Sequence, residues 1–211
     1  IFIALLLAIF IMPNNAKAGE KDFTLPPAII LPIDSIKVYD SGVFWKYEGR
    51  VRYNLNTILL TNWADGGESS LSTTAYFDLM LKYEKGNFKF ENYLNTAYGL
   101  QIYRYSGARK AEDKLNLNSS VAHQFAKNWF YNAQLDFKSQ YSKGFKYPDD
   151  STIVSDWLSP GYLTLSLGIE NKSIDGLSIF VSPLSGKLIF VRNQDMANEG
   201  KYGVKPAVID E

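Results

Sequence analysis

The chain has 211 residues, 22 Lys and Arg against 22 Asp and Glu, and no cysteine. A neutral balance excludes the basic footprint of a nucleic-acid binder, and the lack of thiols excludes a thiolate zinc site, a disulfide framework and a Cys nucleophile. Aromatic residues make up 15% of the chain, with 14 Tyr and 13 Phe, which suits β-strands and in particular the interfacial girdles of a membrane barrel.

The opening "IFIALLLAIFIM" is an apolar run of signal-peptide length, too short for a spanning helix. Ala16-Lys17-Ala18 follows as an A-x-A cleavage pattern, so residues 1–18 are expected to be a signal peptide cut after Ala18. The start lacks Met and a basic region, and the sequence is expected to be clipped there. Residues 19–47 hold Pro26, Pro27 and Pro32 and read as an extended periplasmic lead-in rather than a strand or helix. No later segment is apolar enough for a transmembrane helix.

From residue 48 to 211 alternation takes over, and seven strands are predicted. They span about 49–61, 71–83, 88–104, 114–125, 129–141, 162–170 and 177–191. In the fifth, "WFYNAQLDFKSQY", Trp129, Tyr131, Ala133, Leu135 and Phe137 share one parity, while Asn132, Gln134, Asp136 and Lys138 share the other. Such a strand has one apolar and one polar face. In the seventh, Pro183 and Gly186 interrupt the pattern and predict a bulge or edge.

The connections read as short at 84–87, 126–128 and 171–176, and as long at 62–70, 106–113 and 142–161. In a meander this alternation puts all long loops at one end, the asymmetry of outer-membrane barrels. Aromatics gather at the strand ends. Tyr83, Phe88, Phe90 and Trp129 lie near the short turns, and Trp63, Tyr103, Tyr105, Tyr141, Phe145, Trp157 and Tyr162 near the long loops. Two aromatic belts mark two interfaces. Leu79, Leu135 and Leu165 are therefore expected to face lipid, with Asp78, Asp136 and Ser166 on the inside.

Six segments in this order resemble an exported barrel family of the Bacteroidota, catalogued as domain of unknown function 3078. They are "TNWADGG", "FENYLNTAYG", "RKAEDKLNLNSS", "NWFYNAQLDFKSQYSKGF", "SDWLSPGYLTLSLGIE" and "VSPLSGKLIFV". Where the family pattern has Trp before an Asn, this chain has Phe90-Glu91-Asn92. The resemblance implies an outer-membrane barrel, supplies no catalytic residue, and comes from a family whose members run longer than this chain.

Candidates for chemistry are few. His123 is the only histidine, and it shares a parity with Ser119 and Val121. Ser119 lies four residues away along the strand, about 13 Å, too far for a nucleophile–base hydrogen bond. Asp65, Asp113, Asp149, Asp150 and Asp156 fall in the predicted long loops without a calcium-loop spacing and read as turn formers. The sequence therefore points to no catalytic, metal or cofactor site. Arg50, Arg52, Asp78, Lys82, Glu91 and Glu170 have inward parity, and their balanced signs predict a salt-bridged filling of a small barrel.

The expectation is an all-β, antiparallel up-and-down transmembrane β-barrel, incomplete with about seven strands, truncated at its C-terminus and open between its first and last strands. Its role would be structural, adaptor or small-pore, not enzymatic. It would sit in the outer membrane against lipid, with protein partners unspecified and no nucleic acid. An exported soluble barrel for an apolar ligand is the alternative from another class, and an outer-membrane lipid-modifying enzyme the third.

Overall fold

The computed structural model describes residues 30–31, 44–61, 67–149 and 151–206. The predicted signal peptide 1–18, Trp63, Asp65 and Asp150 lie outside the described residues, as does most of the predicted lead-in. The fold is one antiparallel meander. Its long strands are β2 (Trp45–Ile58), β3 (Ser70–Lys85), β4 (Phe88–Tyr103), β5 (Gly107–Ala126), β6 (Trp129–Ser139), β9 (Gly161–Ile174) and β10 (Leu177–Phe190). Each pairs with the next in chain order, and β2 does not pair with β10, so the sheet is open. The seven predicted long strands are present, with bounds displaced by a few residues except in β5.

Three hairpins at one end turn in two residues, at 86–87, 127–128 and 175–176. Each places a residue in the left-handed region: Gly86 at φ 57°, Asn128 at φ 63° and Gly176 at φ 75°. Gly and Asn reach that conformation most cheaply. At the other end lie the connections 59–69, 104–106 and 140–160.

Several expectations need correction. The segment 106–113 is not a long loop, because β5 begins at Gly107 and the turn is only 104–106. A β-bulge between Gly99 and Leu100 opposite 110–112 breaks the alternation there and made "RKAED" read as a loop. Long and short connections therefore do not alternate throughout. The proline-rich lead-in is not wholly free of strand either. Ile30 and Leu31 form β1 (Ile30–Leu31) and pair with Asn54 and Tyr53, so the first long strand is not a fully free edge. The predicted bulge in β10 is present, between Val181 and Leu184.

The connection 140–160 is folded. It carries the short hairpin β7 (Gly144–Phe145) and β8 (Ile153–Ser155). The chain after β10 returns to it as helix α1 (Gln194–Asn198) and a 3-10 turn at Lys201–Gly203. Asn193 caps α1 by accepting from Met196 N at 3.2 Å, and its own backbone N donates to Ser159 Oγ at 2.8 Å. Met196 and Ser159 are fully buried at this junction.

Candidate functional site

The seven long strands carry two faces of opposite chemistry. One register row runs Leu79, Leu94, Leu117, Phe137, Leu163, Leu188 from β3 to β10. The adjacent row, on the other face, runs Asp78, Asn95, Asn116, Lys138, Tyr162, Ile189. Leu135 and Leu165 pair on the first face, and Asp136 and Ser166 lie on the second, as the alternation predicts.

Burial is inverted relative to a water-soluble sheet. Ser70, Thr74, Asn132 and Glu170 of the polar face are buried, whereas Leu165, Leu167, Val181, Leu184 and Leu188 of the apolar face are exposed. Val181 and Leu184 are 65% and 63% exposed. Among the described residues, the buried hydrophobics are only Ala97, Ala122, Phe130 and Met196. Fully burying a Leu, Ile or Val contributes about 1.5–3 kcal/mol, and a contiguous exposed apolar face of this extent is rare on a water-soluble monomer. Ser139 and Gly161 are buried on the apolar parity only where the 140–160 connection meets the sheet, with Ser139 Oγ donating to Pro160 O at 3.4 Å.

One depression on the polar face is lined jointly by Glu91 of β4, Asn118 of β5, Asn132 of β6 and Lys172 of β9. All six predicted charges lie on this face, but they do not form one cluster. Arg52 pairs with Asp78 at 3.2 Å, Lys82 with Glu91 at 3.3 Å, Arg50 with Glu48 at 3.6 Å and Glu170 with Lys172 at 3.1 Å. These are lateral pairs within or between neighbouring strands, where pairing across a lumen was expected. Nor do the signs of the whole face balance. Lys46, Arg109, Lys114 and Lys187 share its parity and take part in no ion pair among the described residues, against Glu112 alone.

The best-satisfied group on this face is Glu170. It accepts from Ser178 Oγ at 2.5 Å and Asn132 Nδ2 at 2.9 Å besides Lys172. Beside it Phe130 is buried, with the ammonium groups of Lys89 and Lys172 at 5.3 and 5.5 Å from its ring centre. Its position on the polar parity hid it from sequence reasoning. Together these residues fill the polar face near the short turns.

At the opposite end, acidic residues brace the connections to one another. Glu68 accepts from the backbone of Tyr105 at 2.7 Å and of Ser106 at 3.1 Å, tying 59–69 to 104–106. The Ser106 hydroxyl and these amides hold its carboxyl below the usual range. Asp113 accepts from Tyr141 N at 2.8 Å, Ser142 N at 3.0 Å and Lys110 Nζ at 2.8 Å. Lys110 also donates to Ser142 O at 2.8 Å and Ser155 Oγ at 3.1 Å. Asp156 accepts from Asn193 Nδ2 at 3.2 Å, which ties 140–160 to the segment after β10. Asp113 and Asp156 are thus tertiary braces, where spacing alone suggested turn formers. No sequence signal announced the Lys110–Asp113 pair, because the bulge that aligns them is not legible in the pattern.

His123 lies on the apolar face, in register with Phe88 and Tyr131. It lines a shallow groove with Val121, Leu167, Ile169, Pro183 and Leu184, and no serine lines that groove. Ser119 sits four register rows away, opposite Leu135. Among the described residues no group of His, Asp and Glu is placed to hold a metal ion.

Residues 55–145 match the protein family described as Protein of unknown function (DUF3078). That span contains the first four of the six motifs that carry the resemblance. No curated protein matches the chain, and no solved structure matches it.

Proposed function

We propose that this chain, whose residues 55–145 match the DUF3078 family, is an outer-membrane β-barrel protein with a structural, adaptor or small-pore role and no enzymatic activity. The observation that carries the reading is the inverted burial: polar side chains of one face are buried and large apolar ones stand exposed on the other. A soluble barrel enclosing an apolar ligand needs the reverse.

Two further features support it. The long strands have 11 to 20 residues, enough for the about 9–11 that a tilted strand needs to cross a bilayer. The aromatic belt near the short turns also runs obliquely to the register. The row that starts at Trp45 passes Tyr83, Phe90 and Val121 and reaches β6 at Ala133, four residues above Trp129. At about 3.3 Å per residue and about 4.8 Å per strand this slope is about 35°, the tilt range of membrane barrels. In hydrocarbon an unpaired strand edge costs several kcal/mol per group, so in a bilayer the free edge of β10 requires a pairing strand.

The test is fractionation of the natural cells with protease added from outside. The protein should stay in the membrane pellet through a carbonate wash. Cleavage should occur at Lys143 or Lys146 in intact cells and at Lys85 only after the outer membrane is breached. Release by carbonate would contradict the reading, and protected Lys143 with accessible Lys85 would invert the topology.

A further inference from the structure

We infer that Arg109 is the centre of a binding site for a small water-borne anion of the carboxylate or phosphate class, at the long-connection end of the polar face. Arg109 pairs in register with Gln101, whose parity is that of the polar face. Two tyrosine rings flank its guanidinium: Tyr103 at 4.8 Å and Tyr147 at 4.7 Å. Tyr103 ends β4, and Tyr147 comes from the folded connection 140–160. The base of that connection is fixed by Lys110 and Asp113, so Tyr147 is delivered to Arg109 by a braced segment.

Ring contacts hold a guanidinium by its π-face and leave its in-plane N–H groups available. Here Nε is buried and has no hydrogen-bond partner. Buried donors are almost always satisfied, so one left open beside a held guanidinium calls for an acceptor. A planar carboxylate or a phosphate edge fits the guanidinium fork with two parallel charge-assisted hydrogen bonds. Lys114 stands unpaired on the same face five residues along β5, while Glu112 shares that face and the Glu68 carboxylate lies within Coulombic reach of Arg109. The apolar face is on the other side of the sheet, so the occupant arrives through water and not from lipid. The site stands on the geometry of Arg109 and holds whichever medium covers the apolar face.

The test is calorimetric titration of the natural full-length protein, in detergent at fixed ionic strength, with inorganic phosphate and with acetate. Saturable binding of at least one of them is expected. Arg109→Gln should weaken it tenfold or more, as loss of a charge-assisted hydrogen-bonding group does. Tyr147→Leu, a change in the connection and not in the sheet, should weaken it severalfold. Glu68→Gln should strengthen it by removing a nearby negative charge. No saturable binding of either anion, or equal binding by wild type and both weakened variants, overturns the inference. In a parallel arm, flotation with vesicles containing phosphatidate should be the same for wild type and Arg109→Gln. A loss confined to the variant would make a lipid phosphate the occupant and overturn the water-borne assignment.

Discussion

Replacing Asp113 by Ala should release the 140–160 connection while leaving the meander intact. The side chain of Asp113 is 3% exposed and that of Lys110 15%. The substitution removes the acceptor of two backbone amides, Tyr141 N and Ser142 N, and of the Ser142 hydroxyl at 3.2 Å. It also leaves the Lys110 ammonium in a half-closed site with only Ser142 O and Ser155 Oγ. Breaking a buried pair from one side costs about 3–5 kcal/mol, most of it the stranded charge. The stranded amides are part of the same local loss and are not added to it. At about 1.4 kcal/mol per factor of ten, local opening should become about two to three and a half decades more frequent. Hydrogen exchange at the amides of residues 141–145 and 153–157 reads this directly, with the amides of β3 and β4 as internal reference. Asp113→Asn keeps an acceptor and should cost less. Lys110→Met with Asp113→Leu removes both charges and should recover much of the loss. Unchanged exchange at Tyr141 and Ser142 in the Ala variant would refute the bracing role, and equal acceleration in β3 would mean that the pair supports the whole sheet instead.

On the sheet, Leu135→Arg should cost about 2–4 kcal/mol in lipid vesicles and Gln134→Arg far less, as measured by urea unfolding; the reverse order would invert the faces. Gly168→Ala should destabilise the β9–β10 pairing by about 1–3 kcal/mol, because its Cβ would run into Val181 O, whereas nothing lies within 4 Å of a Cβ at Gly186. Loss of the heat-resistant folded band on gels by the Gly168 variant and not by Gly186→Ala would bear this out. The Ser151 and Thr152 hydroxyls and the Ser151 amide hold Asp149 at a pKa of about 2. That pKa is lowered, so its contribution to the turn is complete above about pH 4, the range of a free carboxyl, and fades as pH falls through 2. Exchange at the Ser151 amide, corrected for intrinsic rates, should rise across that window in the wild type and stay level in Asp149→Asn.

The strands were legible because their chemistry alternates at period two, and a register row such as Leu79 to Leu188 is that alternation seen across the sheet. The pattern failed where its period was broken or where a residue's role depends on a distant partner. The bulge opposite Gly99 shifted the phase of Arg109 and Lys110, so the start of β5 read as a loop and the brace at Asp113 was invisible. Ile30 and Leu31 lie between prolines, and only pairing with Tyr53 and Asn54 makes them a strand. The charges of the polar face could be assigned to a face by parity, but not to partners. Arg50 stands opposite Asp78 in register, yet its ion pair is with Glu48. Phe130 shares the parity of Asn132, and the structure buries both on the polar side.

The account depends most on which medium meets the apolar face. The chain has no cysteine, so single cysteines at residues 130 to 138 of β6 can each carry a spin label in the protein reconstituted in lipid vesicles. Accessibility to oxygen and to a water-soluble nickel chelate should alternate with period two. Positions 131, 133, 135 and 137 should respond to oxygen, and 132, 134, 136 and 138 to the chelate or to neither. Oxygen accessibility on the even positions, or odd positions closed to both reagents, would contradict a lipid-facing apolar surface.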